Sequence, residues 1–227
     1  MFKSLIDLFY PMVCCGCDAI LLTGEITICT ECRHNIPLSN HHLHPENEAF
    51  QKFYGRLPVE SAMAMMLFKK SGIVQQMIHK LKYRGQQQIG TEIGKWYGDE
   101  LRACHLLTDI DQIVPVPLHL KRLRERGYNQ VSSFGKALAD KLDVPMNESL
   151  LCRNLYTKTQ TKKNLLGRSD LKTALFSANF TAANHGQHFL LIDDVLTTGA
   201  TLEACGKALL AIPDAKISIA CMAMSHS

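Results

Sequence analysis

Residues 189–201 read Phe189-Leu190-Leu191-Ile192-Asp193-Asp194-Val195-Leu196-Thr197-Thr198-Gly199-Ala200-Thr201. Four consecutive apolar residues predict a strand buried on both faces, two carboxylates stand at its end, and a Thr/Gly loop opens a helix. Ligands of open parallel sheets bind at that carboxyl-terminal edge. The loop supplies backbone N–H groups, Gly199 allows close approach, and the start of the helix favours an anion. The hydroxyls of Thr197, Thr198 and Thr201 add donors beside Val195 and Ala200. Carboxylates repel phosphate, so Asp193 and Asp194 are read as acceptors for sugar hydroxyls, the role an acidic residue plays toward ribose in dinucleotide folds. The expected ligand is a ribose 5-phosphate. A plainer reading, in which the acids end the strand and Thr/Gly makes a turn and an N-cap, does not explain two adjacent acids before this loop. No GxxxxGK[ST] or GxGxxG run occurs, which disfavours P-loop and Rossmann cofactor sites.

Outward from this stretch, strand and helix patterns alternate. Ala62 to Phe68 is an apolar run of strand length, Ile73, Met77, Ile78 and Leu81 keep helical spacing until Gly85, and a second helix is expected from Ile89 to about Cys104. Ile110 to Val116 reads as a strand, Tyr128 to Leu142 as a helix, His188 to Val195 as a strand, Ala200 to Ala211 as a helix and Lys216 to Met224 as a strand. That order predicts an α/β protein with a parallel sheet. The chain has 227 residues, 46% hydrophobic and 20% charged, with 8 Pro and 14 Gly, which excludes a disordered or collagenous whole. Ser39, Asn40, His41, His42, His44, Pro45, Asn47 and Pro58 mark a polar linker, so the expected division is residues 1–40, a linker at 41–58 and a main domain at 59–227. The three histidines there are read as solvated rather than as a metal site.

Five of the 9 cysteines fall between Cys14 and Cys32. Cys14-x-x-Cys17 and Cys29-x-x-Cys32 form two turns separated by eleven residues, and two such turns close a tetrahedral zinc site. The predicted ligands are Cys14, Cys17, Cys29 and Cys32, with Cys15 or His34 as alternatives. Gly24, Ile26 and Ile28 suit a short hairpin carrying the second knuckle. A thioredoxin-like motif needs one CxxC at the head of a helix in a βαβ unit, and a disulfide framework needs dispersed cysteines behind a signal peptide. Neither pattern is present. Asp7 interrupts the apolar residues Phe2, Leu5, Ile6, Leu8 and Phe9, and no uncharged apolar run reaches the ~18 residues of a membrane span. A reducing cytoplasmic setting without a membrane span is therefore expected, with Cys104, Cys152, Cys205 and Cys221 as buried small hydrophobes.

The run Ile192-Asp193-Asp194-Val195-Leu196-Thr197-Thr198-Gly199 resembles the phosphoribosyl-pyrophosphate (PRPP) signature of type I phosphoribosyltransferases. With the N-terminal cysteine pairs, it resembles the ComF family (competence protein F, GntX-like). Leu81-Lys82-Tyr83-Arg84-Gly85, Val114-Pro115-Val116-Pro117-Leu118-His119, Arg122, Arg126-Gly127-Tyr128-Asn129-Gln130 and Thr159-Gln160 fit the same family. Many relatives carry further cysteine pairs, and this chain has one four-ligand set. The resemblance implies a type I phosphoribosyltransferase sheet with a hood. Asp193 and Asp194 would meet the ribose hydroxyls, Thr197 to Thr201 the 5-phosphate, Pro117 and Leu118 the pyrophosphate loop, and magnesium would arrive on PRPP. It also implies single-stranded DNA and proteins of a DNA-uptake apparatus as partners, with PRPP-dependent transfer to an unidentified acceptor as the alternative.

The formal net charge of +4 conceals two basic clusters. Lys121-Arg122-Leu123-Arg124-Glu125-Arg126 follows the pyrophosphate loop, and Arg153, Lys158, Lys162, Lys163, Arg168 and Lys172 form the second. Such groups neutralise pyrophosphate or track a single strand with Tyr128 or Tyr156 as a stacking platform. Arg122, Arg126, Asn129 and Gln130 are assigned to the site because they follow a strand end.

Overall fold

A computed structural model describes residues 11–107, 109–154 and 175–225. Thr159-Gln160, Tyr156 and most of the second basic cluster, along with the first ten residues, lie outside the described residues. At the centre is a parallel sheet in the order β1 (Ser61–Phe68), β6 (Lys216–Ser225), β5 (His188–Leu196), β2 (Gln112–Pro115). β5 and β6 are interior strands, and Phe189 to Ile192 have no exposed surface. Their unbroken apolar run is what burial on both faces requires. The expected parallel α/β sheet is the one observed.

Before β1 come α1 (Thr30–Asn35) and α2 (Glu48–Gln51), and between the strands run α3 (Ile73–Tyr83), α4 (Gln88–Arg102), α5 (Leu120–Arg126), α6 (Gln130–Leu142) and α7 (Ala200–Leu209). One face of the sheet is covered by α3, α4 and α6, whose Met77, Ile78, Leu81, Ile93, Tyr97, Phe134 and Leu138 pack with Leu190 and Ile192. Each fully buried side chain of this kind contributes roughly 1.5–3 kcal/mol. The opposite face is covered by α7, by Ala49, Phe53 and Leu57, and by Phe176 from the antiparallel pair β3 (Leu151–Arg153) and β4 (Phe176–Ala178). α4 and α6 approach closely because α4 shows Gly90, Gly94 and Gly98 to its neighbour. A Cβ on Gly94 would lie 2.6 Å from the Phe134 carbonyl oxygen.

Three segments differ from expectation. The single helix expected over Tyr128 to Leu142 starts at Gln130, and a separate helix, α5, precedes it. The break is the left-handed turn at Gly127 (φ 76), after which Asn129 caps α6 by accepting the Val131 N–H. Residues 41–58, expected as a linker, are packed: His41 is buried, its Nδ1 accepts the Ala64 N–H at 3.3 Å, and Phe53 and Leu57 belong to the core. Asn47 caps α2 and anchors this segment through the His41 and His44 carbonyls, so a polar composition serves turn chemistry rather than solvation. The hairpin expected between the knuckles does not form among the described residues; the isolated bridge here, Val13 with Ile20, spans the first knuckle instead. Of the four scattered cysteines, Cys205 and Cys221 are buried, whereas Cys152 is exposed on β3 and Cys104 is half-buried, donating to the His42 carbonyl at 2.9 Å. Among the described residues no helix is long and apolar enough to cross a membrane.

Candidate functional site

β5 carries Asp193 and Asp194 to the carboxyl-terminal edge of the sheet. Neighbouring strand residues point to opposite faces, and the two acids consequently meet different surroundings. Asp193 stands across from Cys221 in the sheet, and Asp194 turns toward α3 and α6. The Asp193 carboxyl is desolvated and sits beside the Asp194 charge. These effects push it up to about 7, against the Asp194 N–H that donates to its Oδ1 at 2.8 Å and the attraction of Lys82.

After the strand, Thr197 and Thr198 are exposed and Gly199 caps α7 with φ 78. A side chain at Gly199 is disfavoured twice, by that backbone conformation and by Phe53, whose ring atom would lie 3.1 Å from a Cβ. Arg56 clasps the loop from outside. Its NH1 donates to the Thr198 carbonyl at 2.9 Å, while Nε and NH2 donate to Glu203 Oε2 at 3.0 and 2.5 Å. Ala200 and Thr201 then open α7 with exposed side chains.

Asp194 is 5% exposed, and both its oxygens are engaged: Lys82 Nζ lies 2.8 Å from Oδ1, and Gln130 Nε2 donates to Oδ2 at 2.7 Å. Gln130 in turn accepts from Arg126 NH1 at 2.7 Å. The residues of Arg126-Gly127-Tyr128-Asn129-Gln130 thus act together. Tyr128 donates its hydroxyl to the Leu81 carbonyl, and Asn129 donates from Nδ2 to the Val116 carbonyl at 3.1 Å. Val116 N–H donates to the Ile192 carbonyl at 2.9 Å, pinning the Pro115-Val116-Pro117-Leu118 turn beside the acids. Arg122 and Arg126 line a cavity of about 240 Å³ with Lys82, Tyr83 and Glu125, and the Arg126 guanidinium lies 5.1 Å from the Tyr83 ring centre.

The structure therefore links Asp193, Asp194, Gln130 and Arg126 through hydrogen bonds, holds Asn129 on the Val116 carbonyl beside them, and places Arg122 on the adjoining cavity. Asn129 and Gln130 make their bonds within the fold. Lys82 and Arg56 were not among the residues assigned to the site. Lys82 had a signal, since it ends an amphipathic helix inside Leu81-Lys82-Tyr83-Arg84-Gly85. Arg56 had none, because its partners belong to the far end of the chain.

The sulfurs of Cys14, Cys17, Cys29 and Cys32 all lie within 4.8 Å of one another. The N–H groups of Gly16 and Cys29 point at Cys14 Sγ, each at 3.3 Å, and Cys32 N–H points at Cys29 Sγ at 3.4 Å. Burial opposes a Cys14 thiolate, but the N–H groups of Cys29, Gly16 and Cys17 outweigh it and bring the thiol down to about 7. Four sulfurs so arranged can hold a metal ion, and the donor set fits zinc. Cys15 belongs instead to the main core, where burial pushes its thiol up to about 12. His34 is exposed and outside the cluster. The knuckle sits on α3: Lys80 Nζ donates to the Cys14 carbonyl at 3.1 Å and to Asp18 Oδ1 at 2.6 Å, and a Cβ on Gly16 would lie 2.8 Å from Ile73.

The fold is a parallel α/β sheet covered by helices on both faces and preceded in the chain by a four-cysteine cluster. No family model matches the chain. It is 25% identical over 214 residues to DNA utilization protein YhgH of Escherichia coli (strain K12), covering 92% of this chain and 89% of the relative. It is 25% identical over 232 residues to competence protein ComFC of Bacillus subtilis (strain 168), covering 88% and 90%. Competence protein F of Haemophilus influenzae is 31% identical over 137 residues, covering 59% and 60%. The chain is thus similar over most of its length to proteins named for competence and DNA utilization. Among solved structures it is similar to adenine phosphoribosyltransferase from Saccharomyces cerevisiae, with TM-score 0.38, 20% identity, and coverage of 63% of this chain and 72% of that chain. It is also similar to glutamine PRPP amidotransferase from B. subtilis, with TM-score 0.39, 14% identity, and coverage of 62% and 30%.

Proposed function

We propose that this protein binds PRPP and acts in the cytoplasm in handling single-stranded DNA during DNA uptake, alongside proteins of the uptake apparatus. The observation that carries the PRPP reading is the acid pair at the end of β5, followed directly by the exposed Thr197 and Thr198 and by Gly199 at the start of α7. A ribose 5-phosphate laid across this edge puts its hydroxyls against Asp193 and Asp194 and its phosphate on the loop N–H groups and the hydroxyls of Thr197, Thr198 and Thr201. Magnesium would come with the ligand, neutralising the pyrophosphate. Zinc held by Cys14, Cys17, Cys29 and Cys32 would be structural, because four protein thiolates leave no open position for chemistry.

The DNA reading rests on the relatives' names and on one surface. Tyr83 is 65% exposed at the mouth of a cavity that also carries Lys82, Arg122 and Arg126. An aromatic face among cations suits a stacked base and its phosphates. The other reading is PRPP-dependent transfer of phosphoribose to an amine or base. There, loss of pyrophosphate at the anomeric carbon would be assisted by fixed donors and by magnesium on the leaving group.

Calorimetry with PRPP and magnesium tests the site. Binding to the natural chain, abolished by Asp193→Asn with Asp194→Asn, is the expected result, and unchanged affinity in the variant would refute the assignment. Single-stranded DNA should bind with log affinity falling linearly against log salt; no binding at low salt removes the DNA reading. Pyrophosphate release from PRPP across a panel of amines and bases, with and without DNA, separates transferase from binding protein.

A further inference from the structure

We infer that Arg56 is a positioning residue for the phosphate loop: from outside the site it fixes the peptide between Thr198 and Gly199 so that the Gly199 N–H is presented to a ligand phosphate. The inference rests on the sugar-phosphate reading of the acid pair and its loop. It goes beyond that reading in giving a role to residues 53–57, which are remote from the loop in sequence.

These residues lie along one face of α7. Its N-cap Gly199, then Glu203 and Gly206, recur at four- and three-residue spacing, which sets them in one row on the helix. They meet Phe53, Arg56 and Leu57 in turn. A Cβ on Gly199 would lie 3.1 Å from the Phe53 ring, Arg56 Nε lies 3.0 Å from Glu203 Oε2, and a Cβ on Gly206 would lie 2.4 Å from Leu57. Phe53 and Leu57 are buried and anchor the segment, and Arg56 is brought to the loop between them. Its guanidinium donates to the Thr198 carbonyl at 2.9 Å, to the Lys52 carbonyl at 3.0 Å and twice to Glu203.

Pinning that carbonyl orients the other end of the same peptide. The peptide is trans and planar, so its C=O and N–H point in opposite directions, and the Gly199 N–H faces away from Arg56. Among the described residues this N–H has no acceptor, although Gly199 is buried. A buried N–H without a partner is costly, and a phosphate oxygen would satisfy it. Gly199 does not hold this orientation by itself. It sits at φ 78, and glycine passes between positive and negative φ at little cost, so the peptide is free to turn over and put the Thr198 carbonyl, an acceptor, in place of the donor. The bond from Arg56 opposes that flip. Arg56 is not itself the phosphate ligand, because its charge is taken by Glu203, whose other oxygen holds Lys207 at 2.6 Å.

The test is a titration of the full chain with ribose 5-phosphate, read by calorimetry and by proton–nitrogen correlation NMR of the Gly199 amide. In the natural chain the Gly199 amide proton should move downfield and saturate as the phosphate accepts its bond. Arg56→Ala should weaken binding by about tenfold or more, the scale of one hydrogen bond to a charged group. It should also shrink the Gly199 shift at saturation, which a loss of stability alone would leave unchanged. Glu203→Ala removes a negative charge beside the loop, so electrostatics alone would tighten ribose 5-phosphate. Without Glu203 the guanidinium holds the carbonyl less firmly, and binding weaker by about threefold is expected instead. Glu203→Ala carries the test if Arg56→Ala does not fold. Unchanged affinity or an undiminished Gly199 shift in Arg56→Ala, or equal or tighter binding in Glu203→Ala, overturns the inference. If the natural chain does not bind ribose 5-phosphate, or binds it without moving the Gly199 amide, the phosphate-loop reading itself fails and takes this one with it. If the natural chain and both variants bind and move the amide alike, only the role of Arg56 falls.

Discussion

The cysteine cluster and the surroundings of Asp194 are both polar constellations close to α3, but they are assembled in opposite ways. The four thiols come from within Cys14–Cys32, where two tight turns bring them together at little cost in loop closure. Asp194 finds Gln130 64 residues away and Lys82 on a third element, and these meet only because β5, α3 and α6 have already packed. The first constellation can form before the domain does; the second is a product of it. They nevertheless share a helix, because Lys80 holds the knuckle and Lys82 holds the acid.

The largest effect is expected at the knuckle. Cys14→Ser with Cys29→Ser should take zinc content in metal analysis under reducing conditions from about one ion per chain to none, with a large fall in melting temperature, since structural zinc sites contribute folding energy directly. An unchanged melting curve would mean that the knuckle is only an appendage and would break the comparison. Next comes Asp194→Asn, which leaves the mostly buried Lys82 ammonium without its carboxylate and should cost about 3 kcal/mol in denaturant unfolding. Combining it with Lys82→Met should restore part of that loss, and the cycle measures the coupling. Gly94→Ala should cost about 1–3 kcal/mol by forcing α4 away from α6, the platform that presents Gln130.

A smaller effect is expected with pH. Asp193, raised to about 7 from its ordinary 3.8 by burial first and the Asp194 charge second, keeps a proton in the folded protein that the unfolded chain has already released. Stability should therefore fall as pH rises from roughly 4 to 7 and stay level above, because the folded state binds more protons in that window. Asp193→Asn should flatten this contribution in unfolding curves measured across the window.

Much of the fold was legible because the physics behind it is local. The apolar run at 189–192 marked an interior strand, the spacing of Ile73, Met77, Ile78 and Leu81 marked α3, and the Cys-x-x-Cys turns marked the cluster. Cys15 and Cys14 were indistinguishable in sequence, since adjacent cysteines offer the same chemistry; only burial of Cys15 in the main core separates them. The short helix before Gly127 carried no apolar signal, because Leu120–Arg126 is mostly charged and buries no side chain. Residues 41–58 misled because Asn, His and Pro serve equally in solvated linkers and in capped turns packed against a sheet.

Sequence alone determined the class of fold, the four cysteines and the acid pair before its Thr/Gly loop, because each depends on residues within a few turns of chain. Tertiary structure decided which partners each acid has. It turned Asp194 to Lys82 and Gln130, left Asp193 desolvated beside it, and set Arg56 on the loop, since the sheet's strand order and the packing of α3 and α6 lie outside any single stretch.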